Sequence, residues 1–489
     1  MQRTLRETPP VDANTFPSYR GELEYVCQGC GARYPGDRLL YACPACSGVF
    51  LLEDTAFERL QETPGPAWQK IFDGRRQSTR PGLQGIFRFY ELIAPVLEPE
   101  DLLYLGEAQT PVVMAGPELQ DRVGQPLAFK NEGQNPSASF KDRGMACAFS
   151  RLKALLRKGD VDHFLTICAS TGDTSASAAM YAAYAGPAVV SVVLLPRGKV
   201  TPQQLAQPLG SGARVFELPG VFDDCMRVVE YLAEHYPVAL LNSKNSWRIL
   251  GQESYAFEIA QWAGWDVSSI AVFVPIGNAG NISAVLAGFL KLKRLGIIDR
   301  LPVVIGVQTA HADPVVRYYD QPEAIRRYAP VQVQASAAQA AMIGNPVSFP
   351  RVRALAKAYQ DLAGDQGFQV VRVTEQAIMD STLLANRFGH IACTQGGECL
   401  AGLQAARELG VIDGRSLAVL ASTAHSLKFQ NFQTLYFEDR FPEDYRIRAR
   451  QELINAPQSI AGSPEGTDSP AYVRETAQAI IAGLGLGTE

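Results

Sequence analysis

From about residue 120 to 425, short β-branched apolar runs bounded by turn residues alternate with longer stretches of helical apolar spacing. Residues 163–168, 189–195, 213–218, 270–274, 303–307 and 417–420 read as strands. Between them, residues 177–185, 223–234, 252–262, 281–292, 374–385 and 397–409 read as helices. This alternation predicts an α/β fold with mainly parallel sheets covered on both faces by helices. Ligands of such folds bind where glycine-rich turns at the carboxyl ends of strands feed helix N-termini. Upstream, residues 23–26 and 49–52 predict short strands and residues 56–62 a short helix. Residues 87–94 predict a second helix, ended by Pro95, and residues 111–114 an extended segment. Beyond Phe441 the chain turns polar, with one more helix expected over residues 472–484.

A length of 489 residues accommodates two or three domains. With 47% apolar and 19% charged residues, disordered and fibrous classes are excluded. A net charge of −5 gives no basic face for nucleic acid. The N-terminus lacks the apolar core of a signal peptide. No run reaches the roughly 20 apolar residues of a membrane span. A cytoplasmic protein without a membrane or nucleic-acid partner is the expectation.

Four of the nine cysteines cluster as Cys27-x2-Cys30-x12-Cys43-x2-Cys46. Paired knuckles supply four thiolates for a closed tetrahedral Zn2+ site, which makes the metal structural rather than catalytic. The unit has few apolar residues, so the metal contributes much of its folding energy. Cys147, Cys168, Cys225, Cys393 and Cys399 are scattered and read as buried thiols.

Lys141 carries the most chemical information. It stands in Asn135-Pro136-Ser137-Ala138-Ser139-Phe140-Lys141-Asp142-Arg143-Gly144-Met145, a small-residue loop opening a helix. An amine desolvated there forms a Schiff base with an aldehyde cofactor, whereas a lone lysine is ordinarily a solvated surface charge. Only together with segments suited to the phosphate and substrate of such a cofactor does it point to pyridoxal phosphate (PLP). Three other segments sit between a strand and a helix. Ser170-Thr171-Gly172-Asp173-Thr174 turns backbone N–H groups outward, as an anion site or as an ordinary helix cap. Gly277-Asn278-Ala279-Gly280-Asn281 allows positive φ and close approach, as a phosphate cradle or as a tight turn. Asn242, Ser243 and Arg248 bring amide, hydroxyl and guanidinium together, as a phosphate clamp or as a polar loop. Thr423 follows the last strand, as a ligand hydroxyl or as a cap. Of the histidines, His390 and His425 adjoin loops expected at the same sheet edge.

Taken in order, these segments resemble the threonine synthase family, a branch of the fold-type II PLP enzymes (tryptophan synthase β-like). The resemblance runs from the cysteine unit to Lys428. It implies two mainly parallel α/β subdomains plus a small N-terminal zinc ribbon. The corresponding division is residues 1–53, a catalytic domain over 54–440 with a smaller subdomain near 144–250, and a tail over 441–489. It makes Lys141 the cofactor lysine, Gly277 to Asn281 the cofactor-phosphate loop and Thr423 the partner of the pyridine nitrogen. Ser170, Thr171, Asp173 and Thr174 become the substrate loop. Asn242, Ser243 and Arg248 bind the phosphate of O-phospho-L-homoserine. Asp173 is a departure, because many fold-type II relatives carry Asn there.

The implied activity is a PLP-dependent lyase converting O-phospho-L-homoserine and water to L-threonine and phosphate, acting as a homodimer. Cysteate synthase and threonine/serine dehydratase are rivals on the same fold, and a non-catalytic scaffold is the alternative of a different class. The ribbon is expected to brace a dimer or to cover the active-site mouth.

Overall fold

The computed structural model describes residues 19–169, 172–197, 202–220, 222–236, 238–460 and 469–485. Ser170 and Thr171 lie outside them. The chain enters through a three-stranded antiparallel ribbon of β1 (Leu23–Cys27), β2 (Arg33–Pro35) and β3 (Phe50–Asp54), in the order β2-β1-β3. Alternate burial along β1 leaves Leu23, Tyr25 and Cys27 inside, as expected of a strand with one solvated face.

The main sheet has six strands in the order β12-β11-β10-β13-β5-β4. These are β4 (Val112–Met114), β5 (Leu127–Asn131), β10 (Ile270–Pro275), β11 (Val303–Thr309), β12 (Phe368–Val373) and β13 (Leu417–Ser422). All neighbours are parallel except the short edge pair β4–β5. The central strand β10, Ile-Ala-Val-Phe-Val-Pro, is buried at every position, the pattern of a parallel strand covered on both faces. A second, fully parallel sheet runs β8-β7-β6-β9. Its strands are β6 (Phe164–Ala169), β7 (Val189–Pro196), β8 (Arg214–Leu218) and β9 (Val238–Leu240). The architecture is α/β with two mainly parallel sheets, the expected fold class.

Two strands of the main sheet escape the hydrophobic pattern, and β5 shows why. Its sequence, Leu-Ala-Phe-Lys-Asn, ends in a lysine and an amide, yet all five residues are buried. The Lys130 ammonium is held 2.7 Å from Glu258 and donates to the Thr110 carbonyl at 2.7 Å. Arg143 joins Glu132 to Glu258 with N–O distances of 2.7 Å each, and Arg88 lies 3.2 Å from Glu258. Burial alone would push the Glu258 carboxyl up, but Arg143, Lys130 and Arg88 outweigh it and hold it well below the usual range.

The helix expected over 87–94 is instead a 3-10 segment, Gly85–Phe89, followed by the four-residue helix Tyr90–Ile93. Phe89 packs edge-on against Phe72 and Phe257 at ring separations of 5.1 and 5.2 Å, so tertiary aromatic contacts override the local helical spacing. The segment 56–62 is likewise a 3-10 helix, Phe57–Glu62. The expected helix over 252–262 divides into Ser246–Gln252 and Ser254–Trp262, interrupted at Glu253. Among the described residues no helix is long and apolar enough to cross a membrane.

Candidate active site

Lys141 is the first residue of the helix Lys141–Lys158, and its loop is held rigidly. The Phe140 amide donates to the Thr423 carbonyl at 2.9 Å, and Ser139 bridges to Ala424. The loop turns through Ala138 at φ +61°. Asp142 closes it from within: its carboxylate accepts the Ser137 amide at 2.7 Å and the Ser137 hydroxyl at 2.6 Å, together with the Ser177 hydroxyl. Burial lifts the Asp142 carboxyl to about 6 despite these donors.

The Lys141 side chain projects into a cavity, which leaves the residue half-buried although protein surrounds it. Its Nζ sits 4.1 Å from the centre of the Phe140 ring and forms no ion pair among the described residues. Burial foremost, then the positive charge of Arg248, pulls the amine down to about 7; Asp173 opposes and Lys428 adds to the fall. A reactive lysine needs this state, since only the neutral amine is nucleophilic.

Ten of the residues expected at the site line that one cavity: Lys141, Asp173, Ser243, Arg248, Gly277, Asn278, Ala279, Gly280, Asn281 and Thr423. The turn after β10 passes through Ala279 at φ +61° and starts the helix Gly280–Arg294, whose first N–H groups have no helical acceptor. A Cβ on Gly277 would lie 2.8 Å from the Ala340 carbonyl oxygen, so the turn leaves room only for glycine. Both amide atoms of buried Asn281 lack partners among the described residues. Thr423 follows β13, with its hydroxyl 3.5 Å from the Cys393 thiol. Burial pushes that thiol up.

Arg248 supplies the strongest electrostatic signal. The helix Ser246–Gln252 begins at Asn245, whose side chain accepts the Trp247 and Arg248 amides at 2.9 and 3.3 Å. This cap fixes where Arg248 leaves the backbone. Its guanidinium is 2% exposed and donates to the Leu241 carbonyl at 2.9 Å. Nε is unpartnered, and no carboxylate pairs with the group among the described residues. Burial draws its pKa down to about 10. A buried charge without a counter-ion is costly unless a ligand brings one.

Two expected residues do not line the cavity. Asn242 accepts the Lys244 amide at 2.8 Å through its side chain and shapes the turn, while Thr174 lies in the first turn of the helix Asp173–Ala185. His390 packs against Phe129 with ring centres 4.2 Å apart and planes tilted by 33°, and His425 caps its own turn by accepting the Leu427 amide. The informative residue near His390 is Gln395, in the first turn of the helix Thr394–Glu408; it lines the cavity with both amide atoms unpartnered among the described residues. Its only signal in the sequence is a polar pair, Thr394-Gln395, beside Gly396-Gly397. Phe140 and Gln252 also line the cavity and carry no sequence signal beyond their neighbours.

In the ribbon, the four sulfur atoms of Cys27, Cys30, Cys43 and Cys46 all lie within 4.8 Å of one another, an arrangement that could hold a metal ion. Cys27 and Cys46 are 3.4 Å apart, and Cys30 and Cys43 are 3.7 Å apart. A Cβ on Gly48 would come within 2.9 Å of the Cys27 sulfur, so glycine there keeps the cluster open.

A family model described as pyridoxal-phosphate dependent enzyme matches residues 103–423. Threonine synthase of Methanocaldococcus jannaschii is 36% identical over 408 residues, covering 82% of this chain and 92% of that relative. Threonine synthase 2, chloroplastic, of Arabidopsis thaliana is 34% identical over 417 residues, covering 84% of this chain and 77% of its own length. The crystal structure of threonine synthase from Escherichia coli superposes with a TM-score of 0.60 at 20% identity, covering 84% of this chain and 90% of that one. At that identity the likeness is one of fold.

Proposed function

The chain belongs to the threonine synthase family of pyridoxal-phosphate dependent enzymes, and on that premise we propose that Lys141 and Arg248 carry its chemistry. The reaction is the conversion of O-phospho-L-homoserine and water to L-threonine and phosphate by a PLP-dependent lyase. The observation that carries the residue assignment is the buried Arg248 guanidinium, without a carboxylate partner among the described residues, facing the same cavity as a Lys141 amine whose pKa is drawn down to about 7.

The residues present fit the cofactor. Lys141 offers a neutral amine, the Gly277–Asn281 turn offers helix N–H groups and unpartnered Asn281 to a phosphate, and Thr423 offers an uncharged hydroxyl to a ring nitrogen. PLP, when bound, supplies the aldehyde that joins the amine and an electron sink for charge developing beside it. With the substrate's own amino group in its place on the aldehyde, the freed Lys141 amine would take the protons from Cα and Cβ in turn and give them back at Cγ and Cα, because its depressed basicity suits proton transfer in both directions near pH 7. Arg248 and Ser243 hold the substrate phosphate, with Asn242 shaping their turn, as the C–O bond at Cγ breaks. Water enters at Cβ. Because phosphate is both handle and leaving group, its clamp serves binding and rate together.

Zinc is the metal proposed for the ribbon. Four thiolates about 2.3 Å from Zn2+ define a tetrahedron with edges of roughly 3.8 Å, close to the 3.4 and 3.7 Å separations of the two sulfur pairs. Four protein ligands leave no open position, so the ion is structural.

The test is to incubate the purified holoprotein with O-phospho-L-homoserine, phosphoserine plus sulfite, or threonine, and to assay phosphate, amino acid and keto acid. Phosphate and threonine from O-phospho-L-homoserine are expected. Phosphate from phosphoserine alone would overturn the reading in favour of cysteate synthase.

A further inference from the structure

Arg351 lies outside every motif, yet it joins three functional parts of the molecule. It stands near the start of the helix Phe349–Ala363 and is fully buried. Its Nε donates to the Phe50 carbonyl at 2.6 Å. Nη1 donates to the Ser243 carbonyl at 2.7 Å and the Ser348 hydroxyl at 2.8 Å. Nη2 donates to the Lys244 carbonyl at 2.9 Å and reaches the Ser246 hydroxyl at 3.4 Å. Guanidinium has five N–H bonds, and each of these contacts engages one.

The partners explain the arrangement. Phe50 begins ribbon strand β3, and its carbonyl also accepts the Ser246 hydroxyl at 2.9 Å. Ser243 and Lys244 form the turn that leads into Arg248. Ser348 donates its amide to the Asn278 carbonyl at 3.1 Å, which ties the same helix start to the proposed cofactor turn. Two further contacts bind ribbon to loop: Trp247 Nε1 donates to the Tyr25 hydroxyl at 2.9 Å, and Leu51 packs with Ile249 and Ala284. The ribbon therefore stands behind the wall that carries Arg248. No carboxylate pairs with Arg351 among the described residues, so its charge is spread over backbone carbonyls that would otherwise be free to rotate the turn.

We propose that Arg351 is a positioning residue for the substrate anion, holding the 243–248 turn against the metal ribbon so that the ribbon's folded state sets phosphate affinity. A planar five-donor fork suits this task and a lysine does not, because three carbonyls and two hydroxyls converge in one plane of donors. The inference rests on the proposed phosphate clamp, and it is separable from it by measuring inorganic phosphate rather than turnover.

The experiment measures binding of inorganic phosphate to the holoprotein by equilibrium dialysis, with KM and kcat for O-phospho-L-homoserine beside it. Arg351→Met is expected to weaken phosphate binding and raise KM at least tenfold, with the visible absorbance band of the bound cofactor retained. Arg351→Lys should recover part of the loss. Cys30→Ser/Cys46→Ser, which removes two exposed ligands, should weaken phosphate binding in the same direction, and by less than twofold more in the Arg351→Met background. Should Arg351→Met fail to fold, Ser246→Ala carries the test: it removes one hydroxyl bridge and should weaken phosphate binding about threefold. Unchanged phosphate affinity in Arg351→Met or Ser246→Ala overturns the positioning role. Fully additive effects of the cysteine and arginine changes overturn the coupling to the ribbon. If wild type binds phosphate but does not turn over O-phospho-L-homoserine, the substrate assignment falls and the arginine result is read on phosphate alone.

Discussion

Lys428 Nζ stands 2.8 Å from Oδ1 of Asp173, an ion pair at the wall of the cavity that holds Lys141. The contact is a charge pairing rather than an aligned hydrogen bond, since that oxygen has no hydrogen-bonded donor. Lys428 is fixed from its other side by donating to the Ser137 carbonyl at 2.9 Å. Asp173 and Lys428 thus present opposite charges to one amine. Replacing either leaves the other uncompensated, so the two substitutions shift Lys141 in opposite directions. Asp173→Asn removes the charge that favours the ammonium and should lower the Lys141 pKa; Lys428→Met removes a repulsion and should raise it. Shifts of roughly half to one pH unit are expected for a single nearby charge. Movement of both variants in the same direction would refute the pairing.

The wild-type profile provides the baseline for that comparison. The cofactor-free protein should capture PLP at a rate set by the neutral fraction of Lys141. With the amine at about 7, capture should rise roughly tenfold per pH unit below that value and level off above it. Stopped-flow absorbance across pH 5.5–9 reads it, with buffer ranges chosen to bracket the midpoint by about 1.5 units. A rate that still climbs about tenfold per unit at pH 9, with no plateau, would show that burial does not depress the amine from the usual lysine value of about 10.4.

Arg248→Met should weaken O-phospho-L-homoserine more than it disturbs the fold. No carboxylate pairs with the buried wild-type guanidinium among the described residues, so the substitution removes a desolvated charge rather than breaking a pair. Losing charge-assisted hydrogen bonds worth about 1.5–3 kcal/mol corresponds to a roughly 10- to 150-fold loss in kcat/KM. Thermal stability should be unchanged or higher. Steady-state kinetics and a melting curve on the same preparation separate the two effects.

Much of this site is legible in the chain because its parts lie on local signals. Gly277–Gly280 and Thr423 each follow a predicted strand and precede a helix or turn, and Lys141 stands in a small-residue loop that opens a helix, so composition and position agree. Arg248 is legible as a residue, but its lack of a counter-ion is not, since only tertiary packing excludes carboxylates from its neighbourhood. The same limit hides Arg351, whose partners lie about 100 and 300 residues away in sequence. Strand β5 is hidden for a related reason: Lys130 reads as a surface charge until Glu258, distant in sequence, is brought beside it. The segment at 87–94 misleads in the other direction, because its helical spacing is overridden by Phe89 packing on Phe72 and Phe257. What local periodicity conveys is therefore the frame, and what it omits is the set of buried charges closed by distant partners.

The buried ion network around Glu258 should dominate stability. Glu258→Gln leaves Lys130 and Arg143 with one carboxylate, Glu132, where two stood before, and takes away the carboxylate that Arg88 pairs with. Removing one member of a buried pair costs about 3–5 kcal/mol, read from the denaturation midpoint. The folded Glu258 pKa lies below its unfolded value. Its contribution is therefore fully present above the unfolded carboxylate pKa of about 4.3 and is lost as pH falls toward the folded value. The gap between wild type and variant should be widest near neutral pH and narrow below about pH 4. A gap independent of pH would mean that the cost is steric rather than ionic.

Gly277→Ala tests the cofactor turn without changing any charge. The added Cβ would lie 2.8 Å from the Ala340 carbonyl oxygen and 3.0 Å from Ala341 Cα. Both neighbours are backbone, so the turn must move as a unit. The obstruction falls on the segment Gln339–Ala341, which packs over the turn. Displacing the turn carries Ala279 and the first N–H groups of the helix Gly280–Arg294 away from where an anion would sit. Cofactor affinity should fall roughly 5- to 30-fold, since a shift approaching 1 Å forfeits well-aligned hydrogen bonds worth about 1–2 kcal/mol in all. The Lys141 pKa should hold, because no charge near it changes; only the affinity for PLP, titrated by absorbance, should move. Free pyridoxal, which lacks the phosphate, discriminates further: Gly277→Ala should bind it as wild type does. An equal loss for pyridoxal and for PLP would place the damage at the lysine rather than at the phosphate turn.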